Sequence, residues 1–286
     1  MTFWRAQERA RQAGGKLVLR IEDLDRARCR PEFRDAIMED LKWFGLEWDE
    51  GPDSGGPFAS YWQSERREFY LDAWGKLRGS GWIYPCHCSR KDVIGAAFAP
   101  HDEWSRWEPS DMEGQPERVA SHQNEEPIYP GTCRPSLTAH LEEEAKRLPA
   151  EPAGVNWRFR VPDGEPMRFD DGRLGRQRAV AGRDFGDFII WRKDDVPAYQ
   201  LAVVLDDAAM QISEVVRGED LLTSTFRQLL IYCALALEPP AFYHTPLLRN
   251  EQGQRLAKRH ASLSLRELRQ AGAKPEKIRE RVASQL

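Results

Sequence analysis

The spacing of apolar and polar positions predicts helices and strands in close succession. Residues 3–13 (FWRAQERARQA) carry a helical period that ends at Gly14-Gly15, a strong C-terminal stop. Over 16–21, Leu17, Leu19 and Ile21 alternate with Lys16, Val18 and Arg20, the pattern of a strand. A helix is expected over 32–44, with Phe33, Ile37, Leu41 and Phe44 on one stripe and Gly45 as its stop. After a loop rich in Gly, Pro and Ser, Ser64 can cap a further helix carrying Phe69, Ala73, Trp74 and Leu77. Helix, strand, helix, helix in this order predicts an α/β layer architecture.

From 91 to 126 the period is lost in a stretch rich in Pro, Glu, Ser and Trp, which reads as an irregular insertion. Strand patterns return at 155–161, 187–192, 199–205 and 211–216. Thr223-Ser224 then precede a helix with Phe226, Leu229, Leu230, Cys233 and Leu237 at helical spacing. The charged tail from Ser264 is expected to be helical. The sequence shows no internal repeat, heptad pattern or low-complexity tract.

Composition narrows the class. The 286 residues are 41% hydrophobic and include 10 Trp, enough for one large core or two ordinary ones. No apolar run approaches the roughly 18 residues of a membrane span, and no secretory signal pattern opens the chain. A cytoplasmic protein without membrane contact is the expectation, and monomer is the default. The net charge of −4 excludes a uniformly basic nucleic-acid binder but leaves room for a local basic patch. Five cysteines are an odd number, too few for a disulfide scaffold at this length.

Several groups could carry chemistry. Glu22, Asp23 and Asp25 follow the first predicted strand, where acidic side chains can hold an amine or a cation; acidic turns that only cap a helix are slightly commoner. Cys86-His87-Cys88 is a weak metal signal that Cys133 could complete. His87, His101, His122 and Tyr129 compete for the fourth position, and incidental cysteines are an equal alternative on spacing alone. Cys29 and Cys233 read as small core or helix-face residues. Tyr199, ahead of Asp206-Asp207, and Arg217 lie at two predicted neighbouring strands and together suit a carboxylate ligand; a packing Tyr and a surface ion pair explain them equally well. The basic run at 255–259 could meet a triphosphate, although a solvated loop is the commoner origin of such a run. Neither a Walker A sequence nor GxGxxG occurs.

Taken in order, LRIEDLDRAR, YPCHCSR, DFIIWRKDDVPAYQLAVVLDD, VVRGEDLLTSTFRQ and RLAKR resemble the class I glutamyl-tRNA synthetases across nearly the whole chain. Within them, the chain is most similar to the short branch of glutamyl-queuosine tRNA(Asp) synthetases. The resemblance implies a Rossmann-like α/β catalytic domain, N-terminally incomplete, with a zinc-bearing insertion and a short helical C-terminal tail. The expected divisions are catalytic residues 1–85, an insertion with the zinc and acceptor region at 86–180, the second catalytic part at 181–247, and the tail at 248–286. No anticodon-binding domain is expected.

By the same resemblance, Glu22, Tyr199 and Arg217 bind L-glutamate. Arg255, Leu256, Ala257, Lys258 and Arg259 form the KMSKS-like motif, with Lys258 on ATP; an Arg at its first position and an Ala at its third depart from the family pattern. Cys86, Cys88, Tyr129 and Cys133 match the zinc site. The implied reaction activates glutamate with ATP and Mg²⁺ and passes the glutamyl group to queuosine in tRNA(Asp). It works by positioning and electrostatics, with no separate catalytic acid, base or nucleophile. The family's first strand, PSPTG-like turn and HIGH signature have no counterpart in this sequence. A start placed too far downstream is the reading favoured over a truncated gene. The alternatives are a divergent glutamyl-tRNA synthetase charging the 3′ end of tRNA(Glu), and a non-catalytic module binding glutamate or RNA.

Overall fold

The computed structural model describes residues 2–25, 29–97, 127–136, 148–247 and 264–283. In chain order these form α1 (Thr2–Gln12), α2 (Pro31–Trp43), α3 (Arg67–Gly79), β1 (Ile83–Cys86), α4 (Arg90–Ala97), β2 (Asn156–Phe159), β3 (Pro166–Asp171), β4 (Gly175–Val180), β5 (Phe188–Arg192) and β6 (Val196–Pro197). There follow α5 (Tyr199–Ala209), β7 (Glu214–Gly218), α6 (Leu222–Ala234), β8 (Ala241–Thr245), α7 (Leu265–Gln270) and α8 (Pro275–Ala283). The chain divides into two compact units. One holds Met1–Glu68, Ala209–Leu221 and Pro240–Leu286; the other holds Phe69–Ala208 and Leu222–Pro239.

In the first unit β7 and β8 pair in parallel, from Glu214 opposite Ala241 to Gly218 opposite Thr245. The crossover segment between them contains α6, as a parallel connection requires. Arg9 of α1 binds both carboxylate oxygens of Glu214 at 2.7 Å and lies over the Tyr243 ring, which fixes α1 to this pair. The core is Leu41, Phe44 and Leu46, packed with Trp4, Leu19, Trp48, Leu265 and Ile278.

Helix α2 ends where Gly45 adopts a φ of 91°, and the Leu46 N–H reaches the Leu41 carbonyl at 3.0 Å. That left-handed turn closes the exposed carbonyls of the last helical turn and is open mainly to glycine. Its buried face differs from the expected stripe. Phe33 and Ile37 are exposed, while Ala36, Asp40 and Leu41 turn inward. Asp40 faces Arg266 and Arg269 of α7 at 3.5 and 3.4 Å, so the docking of α7 selects the face.

The strand expected over 16–21 is extended but, among the described residues, makes only the isolated bridges Val18–Glu50 and Ile21–Trp62. Its first partner runs directly into the Gly/Pro loop after Glu50, and the second lies beyond that loop, so no ladder propagates. Ser64 does not cap α3. It sits in a short 3-10 turn, Gln63–Glu65, and its backbone N–H and hydroxyl both donate to Asp23, at 2.8 and 2.7 Å.

Helix α7 begins with a reciprocal cap. Ser264 Oγ accepts from the Glu267 N–H at 3.2 Å, and the Glu267 carboxylate accepts from the Ser264 N–H at 2.6 Å. Ser264→Ala is expected to cost about 1 kcal/mol, read as a lower urea midpoint with an unchanged slope. An unchanged midpoint would show that the cap carries no stability.

In the second unit β1, β2, β5 and β6 form an antiparallel sheet in that order. The fully buried Trp157 meets Trp74 edge to face at 4.9 Å, and Trp82 and Phe188 stack on the two sides of Phe159. β3 and β4 form a hairpin whose turn is held by Asp171, which accepts from the N–H groups of Arg173 and Leu174.

The strand expected over 199–205 is instead helix α5. Leu201 through Asp207 are all buried, so the run shows no period, and a short unbroken apolar run does not separate a buried helix from a buried strand. Tyr70 donates to the buried Asp206, with distances of 3.0 and 2.9 Å to its two oxygens. Among the described residues, no helix is long and apolar enough to cross a membrane.

Candidate metal centre and amino-acid site

The sulfur atoms of Cys86, Cys88 and Cys133 lie within 4.8 Å of one another, all in the second unit. Cys86 ends β1, whose antiparallel pairing with β2 fixes its position, and Cys88 follows in the turn before α4. Cys133 comes from the 127–136 segment, where Tyr129 is also buried. The Tyr129 hydroxyl is 3.4 Å from Cys86 Sγ and 3.5 Å from Cys88 Sγ, and it accepts the Cys133 backbone N–H at 2.8 Å.

Three thiols and the Tyr129 phenol oxygen converge on one point. His87 is exposed, and His101 and His122 lie outside the described residues. A tetrahedral zinc with Zn–S bonds near 2.3 Å sets its sulfurs about 3.8 Å apart. The observed spread needs only small side-chain rotations to reach that, so these residues fit zinc. Burial pushes the Cys88 thiol up, and burial with the adjacent thiols pushes the Tyr129 phenol up. Burial also acts to raise Cys133, but hydrogen bonds from Tyr129 and the His87 backbone outweigh it and bring the thiol down to about 7. The thiolate is the form that binds a metal, and a thiol that ionises near neutrality reaches it readily.

Sequence reasoning missed the groups behind the cluster. Arg158, in the middle of β2, is buried and donates from Nε to Cys86 Sγ at 3.2 Å. Its guanidinium carbon lies 3.8 Å above the Tyr129 ring, and Nη1 donates to the Asp187 carbonyl at 3.1 Å. The Asp187 carboxylate accepts from Tyr84 at 2.5 Å and from the Val161 N–H at 2.8 Å, with Arg134 Nε at 3.3 Å. Burial pushes the Asp187 carboxyl up, and burial beside Asp187 pushes the Tyr84 phenol up. The available signal was a charged residue between Trp157 and Phe159 in an apolar strand.

The residues expected to bind an amino acid are distributed over both units. In the first, Glu22 is exposed, with one oxygen 3.3 Å from Arg20. Its neighbour Asp23 is buried on Ser64, so for Asp23 the turn-holding reading applies. Arg217 is buried at the C-terminal end of β7; its Nε donates to His244 Nε2 at 3.2 Å, and Thr245 Oγ1 donates to its carbonyl at 3.2 Å. His244, opposite Arg217 on β8, thus accepts one edge of the guanidinium. In the second unit, Tyr199 opens α5 and is 38% exposed, an accessible position for a ligand-binding hydroxyl. Gln200 beside it donates to Ser224 at 3.0 Å and accepts from Gln228 at 2.9 Å, anchoring that turn. The motif 255–259, with Lys258, lies outside the described residues, as do 98–126.

Residues 4–284 match the model of the family tRNA synthetases class I (E and Q), catalytic domain. A protein of Symbiobacterium thermophilum named glutamyl-Q tRNA(Asp) synthetase is 47% identical over 269 residues, covering 94% of this chain and 76% of its own. One of the same name from Nitratidesulfovibrio vulgaris is 48% identical, covering 95% and 75%. The crystal structure of the glutamate-tRNA synthetase of Elizabethkingia anophelis superposes with a TM-score of 0.68 at 28% identity, over 90% of this chain and 49% of that one, so the chain spans about half of that protein. With the family matched over nearly its whole length, this chain belongs to the class I tRNA synthetases of the glutamyl and glutaminyl group, an α/β family of ligases.

Proposed function

We propose that the protein activates L-glutamate with ATP and transfers the glutamyl group to queuosine in tRNA(Asp). The observation that carries this reading is the similarity at 47–48% identity to proteins named glutamyl-Q tRNA(Asp) synthetase, of which the chain covers 75–76%. Relatives named glutamate–tRNA ligase are 41–43% identical, and the chain covers half of each.

The site residues have roles their chemistry suits. Glu22 meets the α-ammonium of glutamate, and Tyr199 with the Arg217 fork meets the carboxylate side. His244 occupies Arg217 Nε and so orients the guanidinium. The glutamate carboxylate attacks the α-phosphate of ATP, giving glutamyl-adenylate and pyrophosphate. Lys258 and its basic neighbours stabilise the charge on the departing pyrophosphate. The acceptor hydroxyl of queuosine then displaces AMP. Magnesium accompanies ATP and offsets phosphate charge. Cys86, Cys88, Tyr129 and Cys133 would hold zinc, which would supply a structural tie between the end of β1 and the 127–136 segment.

Two assays test the reading. Glutamate-dependent ATP–pyrophosphate exchange by the protein purified from its own cells is expected, together with a glutamyl group recovered on the anticodon-containing nuclease fragment of queuosine-bearing tRNA(Asp). A glutamyl group on the 3′-terminal adenosine of tRNA(Glu) would replace this proposal with ordinary glutamyl-tRNA synthesis. Loss of exchange altogether would leave only binding.

A further inference from the structure

We infer that Arg158 is a positioning residue of the metal centre: its single guanidinium holds Cys86 and Tyr129 in register and supplies the positive charge that the ligand set lacks. The inference rests on the zinc reading above. Three thiolates around a divalent ion leave one net negative charge, and it falls partly on the fully buried Cys86 sulfur, with Cys88 and Cys133 half-buried. An uncompensated charge there is costly, and a buried cation in contact with a ligand sulfur removes it.

The contacts of Arg158 divide cleanly between the two tasks. Nε donates to Cys86 Sγ at 3.2 Å, while the plane of the group lies 3.8 Å above the Tyr129 ring. Nη1 is tied to the Asp187 carbonyl at 3.1 Å, so the fork cannot swing away from the cluster. A guanidinium satisfies all three at once because its donors are coplanar and its face is free to stack; an ammonium has neither property. Arg134, next to Cys133, is a second cation near the cluster, and it is committed to the carboxylates of Asp163 and Asp187. Arg158, by contrast, meets only the backbone carbonyl of Asp187 and keeps its charge for the cluster. Sulfur retains further lone pairs after coordination, so the N–H bond to Cys86 persists with a metal in place. Partners of this kind fix ligand orientation and tune donor strength.

The test uses the full chain with Arg158→Met, which keeps the length and removes charge and donors, and with Arg158→Lys, which keeps the charge and loses the fork. Zinc affinity is measured by competition with a chromogenic chelator, well below the unfolding temperature. Cobalt then replaces zinc, and the sulfur-to-cobalt charge-transfer band is recorded. Arg158→Met is expected to bind zinc roughly 10- to 100-fold more weakly than the parent. Its cobalt band is expected to move to lower energy, because the sulfur is no longer a hydrogen-bond acceptor. Arg158→Lys is expected to fall between the two, and it carries the test alone if the Met variant does not fold. A merely structural role would lower the unfolding temperature without moving the band. Parent-like affinity and an unshifted band in both variants would overturn the inference while leaving the zinc reading intact. A parent protein that binds no zinc would overturn both.

Discussion

Arg217→Ala is expected to lower kcat/KM for glutamate in the pyrophosphate-exchange assay by two to three orders of magnitude, with little change in KM for ATP. The size follows from the environment. Arg217 is 7% exposed, so a carboxylate meeting it is screened little by water, and its Nε is already committed to His244. A guanidinium fork presents paired N–H groups that match the two oxygens of a carboxylate. Removing one partner of a buried, charge-assisted pair costs roughly 3–4 kcal/mol, which is two to three powers of ten. Arg217→Lys keeps the charge but not the fork and is expected to recover only part of the loss. Comparable unfolding temperatures among the three proteins separate this from damage to the β7–β8 pair. A kcat/KM within threefold of the parent would remove Arg217 from the glutamate site.

How much of this was legible beforehand differs from residue to residue. The three cysteines stood out because C-x-C is a rare local pattern, but spacing alone could not bring Cys133 to them. A β1–β2 pairing and a returning segment do that, and neither has a sequence signal. Strand β1 (Ile83–Cys86) contains a proline and runs into a turn, so its pattern is too short to notice. Helix α5 was misread because burial on every side erases the period that distinguishes helix from strand. On α2 the stripe of large residues pointed to Phe33 and Ile37, whereas the contact of Asp40 with the arginines of α7 decided the face. Asp23 and Glu22 are adjacent and chemically alike, yet one is consumed by Ser64 and the other is exposed. Only tertiary packing separates them. Arg158 shows the same limit from the other side: its buried partners lie 29 and 72 residues away in sequence.

Loss of Cys86, proposed above as a zinc ligand, is expected to destabilise the second unit locally rather than to unfold it. Cys86 is fully buried and packs with Tyr84, Val93 and Tyr129 in a small cluster. The Trp74, Trp157 and Trp191 contacts form a separate group that holds the sheet without any metal. A ligand present at 100 times its dissociation constant adds about 2.7 kcal/mol to the folded state, so Cys86→Ser in zinc-containing buffer should lose roughly that much. In a chain of this size the deficit corresponds to a fall in unfolding temperature of about 5 °C. Amide exchange locates the damage. Protection is expected to drop in the peptides covering Cys86–Cys88 and 127–134, while β5 and α5 stay protected. Prolonged chelation of the parent protein should reproduce the same pattern, and added zinc should reverse it in the parent but not in Cys86→Ser. If β5 and α5 lost protection together with the cluster, the metal would be holding the whole unit, and the tryptophan contacts could not be the independent core their packing indicates. If neither chelation nor Cys86→Ser changed exchange at 127–134, Tyr129 and Cys133 would be held by the Arg134 and Asp187 network alone, and zinc would have no structural part here.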